Sequence, residues 1–268
     1  MNKPAAKSLP WRALAWPSAF GIAMLALWYA AVLWGGLPEY QLPAPHRVVA
    51  EGLNEAPTLW SGLLQTLYAC VLGFTASVAG GLLLSILLAS SNWAYQGIYP
   101  YVLMLKMMPI IVLAPIIIIW FGQGIASITV ITFLICFFPI VANTTMGLRS
   151  IDRDLAALFQ VYAATPAQSL LHLRIPAALP YFFTGLKVAA ALTPIGALYG
   201  DTVAGMGSGS QAGLGFVVVI FSSQLKVPAL YAAAFTACAI GFLFVGLVNL
   251  LSWWALRRWH ESYLGEEA

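Results

Sequence analysis

From Pro57 to Leu105 the chain carries no Asp, Glu, Lys or Arg, and from Met107 to Leu148 it again carries none. Lys106, between the two runs, is the lone formal charge in that whole stretch. A helix at the surface of a soluble protein needs a polar face, and these runs have none. About twenty mainly apolar residues make one bilayer crossing, so each run is long enough to cross at least once. Composition agrees: 8% of residues are charged and 61% apolar, with a mean hydropathy of +0.87. A soluble domain carries about a quarter charged residues. Outer-membrane barrels alternate polar and apolar positions over about ten-residue segments, which continuous apolar runs exclude. The fold class is therefore an all-α polytopic membrane protein. A net charge of +3 gives no argument for a nucleic-acid partner, and the expected surroundings are membrane lipid.

Candidate spans are residues 16–36, 59–89, 98–121, 125–148, 179–205 and 230–256, which makes about six crossings. The basic start followed by an apolar run resembles a secretory signal. That run continues to Trp34 without a small-residue cleavage site after it, so an uncleaved first span is expected. Gly122-Gln123-Gly124 must turn the chain between two spans. Cys70, Cys136 and Cys238 lie inside apolar runs and read as packing residues rather than metal or redox groups. No metal site and no bound cofactor are expected on this chain. Lys and Arg gather in the amino-terminal tail, around residues 149–174 and after the last span. By the positive-inside rule these segments are cytoplasmic, with both termini inside. The organisation read is a tail over 1–15, a membrane domain over 16–256 containing a cytoplasmic loop at 149–178, and a second tail over 257–268. Between spans one and two, Pro45 and the Val48, Val49 and Leu53 positions mark one face of a short amphipathic helix on the outer surface. His46 reads as a solvated loop residue.

On its residues alone the loop at 149–178 reads either as an amphipathic connector lying on the lipid surface or as an ordered knob. Leu155, Leu158, Phe159 and Tyr162 recur at helical spacing. Thr165-Pro166-Ala167-Gln168 then reads as a fresh start, with Thr165 as N-cap, Pro166 at the first helical position and Gln168 completing a capping box. Two short helices meeting near residues 163–165 would form a knob that another protein can grip. Arg174-Ile175-Pro176 is expected to end the second of them, before Pro180 opens the next span.

Pro176-Ala177-Ala178-Leu179-Pro180 followed by Gly185-Leu186-Lys187 resembles the end of the EAA loop in permease subunits of binding-protein-dependent ABC importers, in particular the nitrate, sulfonate and taurine type. Leu42-Pro43-Ala44-Pro45 is similar to that family's opening. Lys106 to Pro115, continuing to Trp120-Phe121-Gly122, and Phe138-Pro139-Ile140-Val141-Ala142-Asn143-Thr144 are similar to its third span and to the run before its loop. The resemblance covers residues 38–260 and implies the type I importer (MetI-like) fold. It implies a homodimer in the bacterial inner membrane, two ATP-binding cassette subunits that hold ATP and Mg, and an extracytoplasmic solute-binding protein. In the loop, the family's glutamate and glycine fall on Ala157 and Ala163, and Leu170, Leu171 and His172 replace its usual charges, leaving Arg174. Docking of the ATPase is thus expected to rest on apolar packing through Leu158, Phe159 and Tyr162.

No G-x-x-x-x-G-K-[ST], H-E-x-x-H or G-x-S-x-G occurs, so neither a P-loop nor the common hydrolase motifs are present. The chain reads as a transport subunit with no catalytic residues. Ionisable and amide groups inside spans are expensive and usually functional. The pathway candidates are Asp201, Lys106, Met108, Gln123, Asn143 and Gln211. Gly196 and Gly200 precede Asp201 at a spacing that permits close helix approach. An ion-coupled carrier would instead use Asp201 and Lys106 as coupling groups, although its usual internal symmetry is not visible. Cargo by resemblance is a small solute: nitrate, a sulfonate, taurine or a pyrimidine vitamin precursor.

Overall fold

A computed structural model describes residues 11–36, 38–205 and 212–256. The described residues form helices α1 (Trp11–Gly35), α2 (Pro45–Asn54), α3 (Ala56–Ser90), α4 (Asn92–Met107), α5 (Ile110–Phe121), α6 (Ile125–Arg149), α7 (Arg153–Val161), α8 (Pro166–Ser169), α9 (Ile175–Ala204), α10 (Leu214–Ser223) and α11 (Val227–Leu256), with a π-helical turn over Leu170–Arg174. Five helices are long and apolar enough to cross a membrane, or six if the bent pair α4–α5 counts as one span. The all-α polytopic fold expected from composition is the fold observed. Most of the two proposed tails, residues 1–10 and 257–268, lies outside the described residues, and helix is already present from Trp11.

Two compact units emerge among the described residues, one within 1–56 and 221–232, the other within 57–220 and 233–268. In the smaller, Trp28 Nε1 donates to Pro43 O at 3.1 Å and its ring lies 6.0 Å from that of Tyr231. Helix α2 forms where proline and amphipathic spacing place it, but its buried residue is Val48; Val49 and Leu53 are exposed. The apolar face is narrower than the sequence pattern implies because Gly52, one turn on from Val48, brings the α2 backbone close to Ala232. His46 is not a free loop residue either: it sits in α2, 2.8 Å from the Tyr29 hydroxyl, with the two rings stacked. Lys226 Nζ bonds Glu55 at 2.7 Å, and that carboxylate raises the lysine pKa by hydrogen bond and charge.

In the larger unit α6 and α9 pack extensively along their length. Their closeness follows from glycine: a Cβ on Gly196 would stand 3.1 Å from Thr132 Cα, and one on Gly200 3.1 Å from Ile128 Cα. Without lipid-side hydrophobic drive, such small-residue contacts carry helix association in membranes. Several buried hydroxyls are satisfied by backbone: Ser77 Oγ reaches Gly73 O and Phe133 O, and Thr132 and Thr193 donate to carbonyls one turn back. Cys70 and Cys136 are buried in this packing and Cys238 is exposed.

The expected span 98–121 is not one helix. It breaks at Met108-Pro109, and α4 and α5 meet at 101°. Pro109 lacks the N–H needed to continue the ladder and pushes Met108 to extended backbone (φ −69°, ψ 124°). The expected stop at 174–176 is also absent. Helix α8 runs through the π turn directly into α9, so the span is continuous with the loop. A widened turn just before Pro176 absorbs a proline that would otherwise collide with the carbonyl one turn back. The turn at Gly122-Gln123-Gly124 forms as read, with φ of 77° and 107° at its glycines and Gln123 exposed.

Candidate coupling elbow and transport pathway

The elbow is assembled from local capping alone. Asp152 opens α7 by accepting from Asp154 N at 2.7 Å and Leu155 N at 3.4 Å. At the other end Ala163 N bonds Gln160 O at 2.9 Å and Ala164 N bonds Phe159 O at 3.0 Å. These are the paired bonds of a Schellman stop. Its left-handed residue is Ala163, at φ 50°, the position where the family resemblance implies a glycine. Thr165 then starts α8 with a complete capping box: its hydroxyl accepts from Gln168 N, while its own N–H donates to Gln168 Oε1 at 2.8 Å. Pro166 occupies the first helical turn, as read. Leu155 and Leu158 are half exposed, Tyr162 is 78% exposed and Ala157 is exposed, with Phe159 partly tucked under. Val161, at 82% the most exposed apolar residue of the elbow, belongs to the same patch and was missed because it falls off the helical repeat of the other four.

The root of the elbow is held by arginine. Arg174 Nη1 donates to Ala89 O at 3.0 Å, and Arg149 Nη1 to Leu88 O at 3.3 Å. Both grip adjacent orphan carbonyls at the C-terminus of α3, where positive charge is favoured. Arg149 also reaches Asn92 Oδ1 at 3.0 Å and lies 3.9 Å from the centre of the Tyr95 ring. Ala89, Leu148 and Ala178 pack beneath, joined by Leu170 and Ile175. Sequence reasoning counted Arg149 as a topology charge; the polar Ser-Ser-Asn at 90–92 was the available sign of a helix end needing cations.

The pathway candidates do not converge on one site within this chain. Lys106 and Met108 flank the α4–α5 break and line a cavity of about 270 Å³ with Phe138 and Pro139. Asn143 donates to Pro139 O at 2.8 Å and lines a separate cavity of about 460 Å³ with Tyr95, Tyr99, Thr145 and Arg149. Gln123 sits in its turn, and Gln211 lies outside the described residues. Asp201 is 2% exposed. Its carboxylate accepts from Thr66 Oγ1 at 3.0 Å and from Gly215 N, while Thr66 accepts from Leu214 N at 2.8 Å. Asp201 thus closes the N-terminus of α10, a helix the sequence reading did not place. A Cβ on Gly213 would overlap the carboxylate, so only glycine fits there. Thr66 was unreadable in advance because its partners lie far along the chain.

Comparison with known proteins places this geometry in a family. Residues 81–257 match the model for "Binding-protein-dependent transport system inner membrane component". The formylaminopyrimidine transport permease protein of Halalkalibacterium halodurans is 33% identical, over 85% of this chain and 89% of its own length. The riboflavin transport system permease protein of Chloroflexus aurantiacus is also 33% identical, over 94% and 92%. A putative aliphatic sulfonates transport permease protein of Bacillus subtilis is 26% identical, over 98% and 93%. With its apolar helices, the match across most of the chain and relatives that are transport permeases, this chain belongs to the inner-membrane permease components of binding-protein-dependent ABC transport systems.

Proposed function

We propose that two copies of this chain form the translocation pathway of an ATP-driven importer in the bacterial inner membrane, with both termini in the cytoplasm. Two separate ATPase subunits, which hold ATP and Mg, engage the Leu155–Arg174 elbow. A solute-binding protein delivers cargo from outside. ATP binding closes the ATPase pair, the elbows move with it, and the pathway alternates between its two sides. Cargo is a small solute, and the names of the relatives extend the candidates from sulfonates to flat ring compounds such as a formylaminopyrimidine and riboflavin.

The observation that carries the reading is the elbow: a double-capped corner presenting Leu155, Leu158, Val161 and Tyr162 to the outside. An ion-driven carrier needs Asp201 to exchange protons or ions with the pathway, and its carboxylate is committed to Thr66 and Gly215. Tyr162→Asp tests the proposal, because an exposed position accepts the charge without loss of fold, whereas an apolar socket does not accept it unpaired. Phe159→Asp is the companion variant. The expected result is a folded permease that no longer co-purifies with its ATPase or stimulates hydrolysis. Transport-stimulated ATPase activity at wild-type level in both variants would overturn the assignment of the elbow.

A further inference from the structure

The cavity beside Arg149 has features that neither the elbow nor the fold explains. Tyr95 and Tyr99 stack at 4.8 Å and 18°, and their inner edges join the core of Leu88, Val102 and Val141, so their positions are fixed. The Arg149 guanidinium is held over Tyr95 by Leu88 O and Asn92 Oδ1, and no carboxylate pairs with it among the described residues. Asn143 uses its amide N–H on Pro139 O, leaving its carbonyl oxygen without a partner among the described residues.

Thr145 is 2% exposed and lines the same cavity, but its hydroxyl is enclosed by protein, so the polar group offered to a ligand is the Asn143 oxygen. A volume of about 460 Å³ falls within the range of about 300–1,000 Å³ for small-molecule sites.

We propose that this cavity is a substrate station in the permease itself, selective for a planar heteroaromatic ring carrying both hydrogen-bond donors and acceptors. The ring extends the Tyr95–Tyr99 stack, and a ring N–H or amino group donates to Asn143 Oδ1. Arg149 adds an unpaired positive charge that favours electron-rich acceptors. An aliphatic sulfonate matches the cation and leaves the stack and the amide unused. The inference rests on the importer reading and names the chemistry of its cargo.

The test uses the full-length permease in lipid nanodiscs, with riboflavin as a fluorescent probe, a formylaminopyrimidine as ring competitor and taurine as the aliphatic control. Saturable quenching of flavin fluorescence is expected, displaced by the pyrimidine and not by taurine. Asn143→Leu removes the amide oxygen, so ring affinity should fall about two- to tenfold, the worth of one hydrogen bond. Tyr99→Leu should weaken the same binding, with the thermal stability of both variants read alongside. Absence of saturable binding by either ring compound, equal binding in wild type and both variants, or displacement by taurine overturns the proposal. The outcome is independent of the elbow test: a permease that couples to its ATPase but ignores both rings refutes only the cargo chemistry.

Discussion

Ala163→Gly should tighten the elbow. Ala163 is the left-handed residue of the Schellman stop, at φ 50°, and an L-residue with a Cβ pays roughly 1–2 kcal/mol for that region. Glycine removes the penalty but costs about 0.5–1 kcal/mol in extra chain entropy. Nothing else changes, since the bonds Ala163 N to Gln160 O and Ala164 N to Phe159 O belong to the backbone. The net gain is about 0.5–1 kcal/mol, a two- to fivefold slowing of local opening, roughly, at room temperature. Hydrogen exchange on a peptide spanning residues 158–168 of the nanodisc-embedded permease reads this directly. Ala163→Val should do the opposite and by more, because a β-branched residue is a genuine outlier at positive φ. Exchange unchanged or faster in the glycine variant, or unaffected by valine, would show that residue 163 is not left-handed in the membrane and that the corner is built some other way.

Asp201→Ala strands the Thr66 hydroxyl and the Gly215 N–H inside the protein, so thermal stability should fall by about 1–3 kcal/mol. Asp201→Asn keeps an acceptor and should cost less than about 1 kcal/mol; uptake that falls sharply in a stable Asn variant would mean that the charge itself works in transport. Gly200→Ala places a Cβ 3.1 Å from Ile128 Cα and should destabilise the α6–α9 pair by about 1–3 kcal/mol. Gly97→Ala has nothing within 4 Å and should gain about 0.5–1 kcal/mol from helix propensity; equal melting shifts for the two would undo the close-packing argument. Cysteine labelling at position 168, in a background lacking Cys70, Cys136 and Cys238, should succeed only from the cytoplasmic side, and labelling from outside would invert the proposed topology.

The legible parts of this protein were those set by local chemistry. Charge-free runs required membrane helices, and the Thr165-Pro166-Gln168 signature located a helix start whose capping box is complete. What escaped was set by contacts between distant segments or by backbone adjustment. Helix α10 is short and follows a glycine-rich stretch, and its N-terminus is fixed by Asp201 and Thr66 from two other helices, so no local pattern announced it. The prolines at 109 and 176 carry the same letter and act in opposite ways: one breaks a span by 101°, while the other is carried through by a π turn. Packing decides between those outcomes, and spacing does not record it.

The two arginines at the root of the elbow give the proposed coupling a physical route. Arg174 belongs to the π turn and holds Ala89 O, and Arg149 ends α6 and holds Leu88 O, the preceding carbonyl on the same helix end. Any displacement of the elbow therefore pulls on the α3 terminus at the point where α6 is also attached. Arg149 is in turn stacked on Tyr95 in the wall of the 460 Å³ cavity. A shift that loosens Arg149 from Leu88 O frees the guanidinium to change its place over Tyr95, and the cation that attracts a ring would move with it. A π turn suits the moving end of such a linkage: its hydrogen bonds are less favourable than those of an α-helix, and single π turns recur at functional sites. In the importer proposed here, Arg149 is the side chain shared by the root of the elbow and the wall of the ring station, so motion at Leu155–Tyr162 has a direct link to that wall.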